Sequence, residues 1–256
     1  MEVFFLMMGL WLVVAVALGM RRPRGFGGAV LRQRLDAVYG EPHELVRVMP
    51  AAFPEADLEF YDRARTDLEA KGYRWLADVE DLTMSRIYPQ NRTFLRLFVD
   101  AGGMIRASAY HLHPRGVVVS LLQLVQLFPR HLRVVELVSE VQGTFVVTSN
   151  THGVDRLEPP PEARVERMPL ATPILEIIAT HEGRIRELLR KHPERSPVTF
   201  ETFEDVLASM ARAHVAMARH RQRVGGLSRD ELERLKGRPL SATEEAFLRE
   251  VQGKPE

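Results

Sequence analysis

Residues 3–20 read VFFLMMGLWLVVAVALGM, eighteen positions without a charge. At the ~1.5 Å rise of an α-helix such a run spans about 27 Å, close to the roughly 30 Å hydrocarbon thickness of a bilayer. As a helix it is apolar around its whole circumference, leaving no polar stripe to face water. The sequence therefore predicts a transmembrane helix in which Val3, Phe4, Phe5, Leu6, Trp11, Leu12, Val13, Val14 and Leu18 span the membrane. Ala15 and Ala17 resemble the small residues of a cleavage site, but a secretory signal opens on positive charge, and the ionisable side chain ahead of this run is Glu2. Arg21, Arg22 and Arg24 follow directly, with Arg32 and Arg34 beyond. By the positive-inside bias the arginine flank stays inside. The expectation is a single-pass protein of the inner (cytoplasmic) membrane, amino terminus out, with the remaining chain in the cytoplasm and the lipid bilayer as its first partner.

The rest of the chain is ordinary globular material. Its 256 residues are 45% hydrophobic and 27% charged, with a net charge of +1, enough to bury a core in one or two domains. Near-neutral charge argues against nucleic acid as a partner, and the basic end of the 202–224 helix lacks the interleaved aromatics of a strand-binding surface. Cysteine is absent, which removes disulfides, thiol nucleophiles and thiolate metal sites. Only Lys71, Lys191, Lys236 and Lys254 among the 35 basic residues are lysine, a bias that a GC-rich genome explains.

Periodicity predicts an α+β fold: a mainly antiparallel sheet of five or six strands flanked by helices, with a helical carboxyl-terminal extension. The expected organisation is an anchor over 1–24, a juxtamembrane tether over 25–52, an α+β domain over 53–192 and the extension over 193–256. Pro54, Glu55 and Asp57 open a first helix that Gly72 stops. Tyr73, Trp75, Ala77 and Val79 then alternate with Arg74, Leu76, Asp78 and Glu80 as a strand does. Runs over 93–100 and 104–113 meet at Gly102 and Gly103, and runs over 133–141 and 144–149 meet at Gln142-Gly143, the turn chemistry of hairpins. A sixth strand is expected over 164–168. Helices are expected over 172–191 and 202–224, then two short ones opened by the capping boxes Ser228-x-x-Glu231 and Ser241-x-x-Glu244.

Several groups could carry chemistry. His111 and His113 flank one residue, so on a strand they share a face, with His131 the nearest third imidazole; no spacing completes a recognised metal set. His181-Glu182 lacks the second histidine of a zinc-protease helix, because position 185 is Ile; His181 reads instead as a hydrogen-bonded histidine on an apolar stripe. Ser149 has no glycine elbow around it. Asp78, Glu80 and Asp81 form an acidic cluster without the ligand spacing of a calcium loop. No catalytic residue, metal or cofactor is assigned. The run over 117–128, VVVSLLQLVQLF, is too short to cross a bilayer, yet Leu121, Leu122, Leu124, Val125, Leu127 and Phe128 suit its interface as well as a buried core. The reading that follows is a membrane-anchored cytoplasmic module that binds a ligand, a lipid or a protein, the last through the 202–224 helix. The alternative is a membrane-tethered hydrolase or metal-dependent enzyme using His111, His113 or Ser149, and the enzyme class stays open.

Overall fold

In the computed structural model, which describes residues 26–113, 131–155 and 157–253, the protein is α+β. Seven strands form one sheet: β1 (Leu45–Arg47), β2 (Arg74–Asp81), β3 (Leu95–Val99), β4 (Arg106–Leu112), β5 (Leu132–Val141), β6 (Thr144–Ser149) and β7 (Ala163–Arg167). They lie in sequence order, every neighbouring pair antiparallel except β6 and β7. That meander follows from the turns. Gln142 and Gly143, both at positive φ, make the two-residue connection whose twist matches that of the strands it joins. The parallel pair instead has a connection over 150–162, long enough to carry the chain back to the starting end.

The helices are α1 (Phe26–Tyr39), α2 (Leu58–Glu69), α3 (Leu82–Ile87), α4 (Ile174–Lys191), α5 (Phe203–Val224), α6 (Arg229–Lys236) and α7 (Ala242–Gln252). The described residues fall into two compact units. Of the described residues, the sheet unit holds 43–113, 131–152 and 161–213; the helical unit takes 26–42, 153–155, 157–160 and 214–253. The division passes through α5.

In the sheet unit, α2 and α4 cover one face. Their apolar stripes, Phe60, Tyr61, Ala64 and Leu68 from α2 and Ile177 and Ile178 from α4, close on Phe94, Phe98, Ala107, Ala109, Val135 and Leu137. Fully burying a side chain such as Phe98 is worth roughly 1.5–3 kcal/mol over leaving it in water. In the helical unit α1 packs on α7. Both capping boxes form there: Ser228 accepts from Glu231 N and Ser241 from Glu244 N, each with the reciprocal carboxylate bond.

Three expectations need correction. The strand count is seven, because Leu45–Arg47, expected in the tether, pairs with β2. Trp75 does not share a face with Ala77 and Val79: Leu76 bulges out of the pairing between Trp75↔Phe98 and Ala77↔Leu97, and Trp75 is left 43% exposed beneath the Arg65 guanidinium, 5.3 Å from its ring. The acidic cluster, expected at an exposed strand end, is largely enclosed and engaged within the protein: Asp78 pairs with Arg96, Glu80 with Arg92 and Ser85, and Asp81 caps α3 through Met84 N. The membrane-spanning positions Val3, Phe4, Phe5, Leu6, Trp11, Leu12, Val13, Val14 and Leu18 lie outside the described residues, as do Leu121, Leu122, Leu124, Val125, Leu127 and Phe128. Among the described residues no helix is long and apolar enough to cross a membrane.

Candidate functional site

The ladder between β4 and β5 closes on the pair Leu112↔Leu132. One step further, antiparallel register sets His113 opposite His131, and His111 lies two residues back on the same face. The three imidazoles gather there. His111 Nε2 is 3.0 Å from His131 Nδ1, and the ring centroids of His113 and His131 are 4.7 Å apart. His111 is the buried member at 3% exposure, His113 is half-buried and His131 is exposed.

Two elements fix His111. Tyr61, on α2, receives the His111 backbone N–H at 2.9 Å and donates its hydroxyl to the Phe94 carbonyl at 2.7 Å, bridging β4 and the chain entering β3 where their ladder ends. Asp57, the cap of α2, donates its backbone N–H to His111 Nδ1 at 3.1 Å. A nitrogen that accepts an N–H bears a lone pair, so the ring proton sits on Nε2 and points to His131 Nδ1. Burial, then the neighbouring His131, pushes the His111 pKa down to about 4, so the ring is neutral at physiological pH. Burial alone would raise the Asp57 carboxyl, but the Phe60 N–H and the Arg133 guanidinium at 2.7 Å outweigh it and hold it below the usual range.

This tautomer bears on metal binding. His111 would have to offer a lone pair at Nε2, which requires a hydrogen on Nδ1, where the Asp57 N–H already points. Among the described residues no group of three or more His, Asp or Glu side chains is placed to hold a metal ion.

Beside His111 and His113 opens a cleft of about 230 Å³. Phe53, Pro54 and Pro89 give it apolar walls, and Gln90, Arg92 and His113 give it polar groups. Arg92 is held in place by Glu80 at 2.7 and 2.9 Å and lies over the Phe53 ring at 5.2 Å. His113 Nδ1 stands 3.8 Å from Glu55 Oε2. A second cavity, about 290 Å³, belongs to the helical unit and is lined by Leu35, Tyr39, Gly225, Gly226 and Val251, with Arg32 and Gln222 as polar members.

The structure brings His111, His113 and His131 together and leaves Ser149 elsewhere. Ser149 is fully buried on β6, its hydroxyl 2.7 Å from that of Thr151. A nucleophile must reach its substrate, and this one is enclosed. Asn150 holds the turn after β6, accepting from Val135 N and donating to the Arg133 and Leu170 carbonyls. His181 is buried between the hydroxyls of Ser139, at 3.1 Å, and Thr148, at 2.9 Å. The basic end of α5 is partly internal: Arg221 is 2% exposed and bonds Glu231 within the helical unit.

A buried polar group escaped the sequence reading. Glu140 on β5, 4% exposed, receives Arg212 at 2.8 Å and Ser209 at 3.1 Å from α5. The available signal was a carboxylate interrupting an apolar strand. No protein family, curated protein or solved structure matches the chain.

Proposed function

We propose that this is a single-pass membrane protein whose sheet unit works in the cytoplasm as a binding module for a small ligand, a lipid or a protein. The observation that carries the reading is the cleft beside His113: apolar walls with a few fixed polar groups make a recognition surface, and Arg92 is already oriented by Glu80 before anything arrives. The residues on which a hydrolase would have to be built do not favour one. Ser149 is enclosed, and His111 has both ring nitrogens engaged and its proton fixed on the nitrogen facing His131. The anchor and its orientation rest on the uncharged run over 3–20 and the arginines after it. Leu121, Leu122, Leu124, Val125, Leu127 and Phe128 are proposed to touch the same bilayer, and α5 is the proposed surface for a protein partner.

The absence of native cysteine makes a direct test available. In a Lys191→Cys protein, an impermeant maleimide labels only after the cells are opened, and carbonate leaves the protein in the membrane. Labelling of intact spheroplasts, or release by carbonate, refutes the placement. Turnover of an activated ester by the purified full-length protein, lost in Ser149→Ala or His111→Gln, would establish the enzyme instead.

A further inference from the structure

The two edges of the sheet differ. β1 is three residues long and lies between Pro42 and Pro50, so it offers little backbone to a neighbour. β7 is a regular five-residue strand, ARVER, paired with β6 over its whole length without a shift in register. The direction of its backbone groups follows from the two bonds that bracket it: Phe145 N–H donates to the Glu162 carbonyl and Met168 N–H to the Ser149 carbonyl. In a parallel ladder this sets 162, 164, 166 and 168 toward β6 and turns the N–H and C=O of Ala163, Val165 and Arg167 to the outer edge. Among the described residues no strand pairs with that edge.

An antiparallel strand can pair there only through the outward residues, and for a second copy of β7 the charges select the register. Val165 opposite Val165 sets Arg164 of each copy across from Glu166 of the other, twice. Val165 opposite Ala163 would set Arg164 against Arg164, and Val165 opposite Arg167 would set Glu166 against Glu166; like charges directly opposite are destabilising. An edge carrying one sign of charge repels its own kind, whereas this edge carries both signs in mirror order about Val165. Arg164 and Glu166 are exposed on the same face, and neither forms an ion pair among the described residues. Arg184, beside them on α4, attracts Glu166 and repels Arg164, so Arg164 has a like charge for a neighbour and a carboxylate to gain.

We propose that β7 is a self-docking edge: two copies of this chain join antiparallel about Val165, with Arg164 of each facing Glu166 of the other on either side of the two-fold axis. The two Val165 residues exchange their main-chain N–H and C=O bonds, and one seven-stranded sheet continues into the next. The covering helix leaves room for this. α4 lies over β5 and β6, so the axis carries the two α4 helices about four strand spacings, roughly 19 Å, apart, well beyond the about 8–10 Å of packed helices. The contact is isologous and uses the same edge of both copies, so it closes at a dimer instead of running on as a fibre.

The chain has no native cysteine, so one can be placed on the axis. Full-length Val165→Cys protein is treated with the shortest bis-maleimide inside the cells that express it, which makes the outcome independent of where the chain resides. It is expected to link to its own copy, whereas Ala163→Cys, whose copies lie four residues or roughly 13 Å apart in this register, links severalfold less. In the Val165→Cys background, Arg164→Glu or Glu166→Arg turns two attractions into two repulsions and lowers the linked fraction at least about fivefold; the double reversal Arg164→Glu with Glu166→Arg restores it to within about twofold. Recovery in the double reversal also shows that these positions tolerate the exchanged charges. The self-docking edge is overturned when Val165→Cys does not link, when Ala163→Cys links equally well, or when the single reversals change nothing. A double reversal that links no better than the single ones overturns it too, as does a product joining Val165→Cys to a different protein. Failure here leaves the binding reading standing, because that reading is judged by location and turnover.

Discussion

Acid should weaken the sheet unit through one histidine in particular. His181 is fully buried on α4, and burial first, then the Arg184 and Arg106 charges, push its pKa from 6.5 down to about 3. Arg184 Nη1 donates to Thr148 Oγ1 at 2.7 Å, which frees the Thr148 hydrogen for His181 Nδ1 and leaves the Nε2–H for Ser139. The neutral ring is therefore the one the site is built around. A base whose pKa is depressed by folding contributes stability that is complete above the unfolded value and is lost as pH falls, because the unfolded chain binds the proton that the folded chain refuses. The window runs from 6.5 down to about 3. At pH 5 the unfolded state gains about 2 kcal/mol from this group. His181→Phe keeps a ring of similar shape and removes the titration. It costs about 2 kcal/mol at pH 7.5, since two buried hydroxyls lose a partner. Its further loss on going to pH 5 should be smaller than the wild type's by about 2 kcal/mol. Urea unfolding of the full-length protein in detergent, followed by Trp75 fluorescence in a Trp11→Phe background, measures both quantities. Equal losses of stability in variant and wild type between pH 7.5 and 5 would refute the reasoning.

Tyr61→Phe removes the hydroxyl that receives the His111 N–H and donates to the Phe94 carbonyl, and should cost about 1–2 kcal/mol with faster exchange at the His111 amide; unchanged exchange there refutes the bridging role. Phe94→Ala, at a fully buried ring stacked 4.2 Å from Tyr61, should cost about 3–5 kcal/mol by urea midpoint, and a cost below about 1 kcal/mol would show the site collapsing without penalty. Ser241→Ala breaks the capping box of α7 and should cost about 1 kcal/mol, read from loss of exchange protection in α7; protection equal to the wild type contradicts the cap.

What the sequence disclosed depended on whether a signal was local. The capping serines, the Gln142-Gly143 turn and the shared face of His111 and His113 are all written within a few residues, and each forms. The bulge at Leu76 left the alternation of letters intact while changing the side that Trp75 faces. Strand β1, three residues between Pro42 and Pro50, is too short to show a period. The parallel pairing of β6 and β7 depends on where the connection returns, which no window of residues contains. The third histidine of the cluster was legible as nearest in number, but the contact with His131 depends on the register of β4 against β5.

The buried charges are the part least open to sequence reading, and they also make the register of the sheet specific. Asp78 on β2 meets Arg96 on β3 at 2.9 Å, both nearly enclosed, and Arg96 reaches Asp62 on α2 at 3.1 Å. Glu80, two residues along β2, meets Arg92 at 2.7 Å, and Glu140 on β5 meets Arg212 on α5. Each pair joins different elements, so neither partner's neighbours in sequence announce it. An apolar sheet tolerates a slip of two residues, because the same faces stay greasy. A sheet with enclosed carboxylates does not, since a slip would leave a buried charge without its partner, at a cost of several kcal/mol. The binding cleft depends on this directly: Arg92, fixed by Glu80, forms one of its polar walls, and Glu80 keeps its place on β2 through the pairing of Val46 with it on one side and of Val79 with Leu95 on the other. The register of β2 against β3 that these charges enforce is thus the one that sets Arg92 in the wall of the cleft.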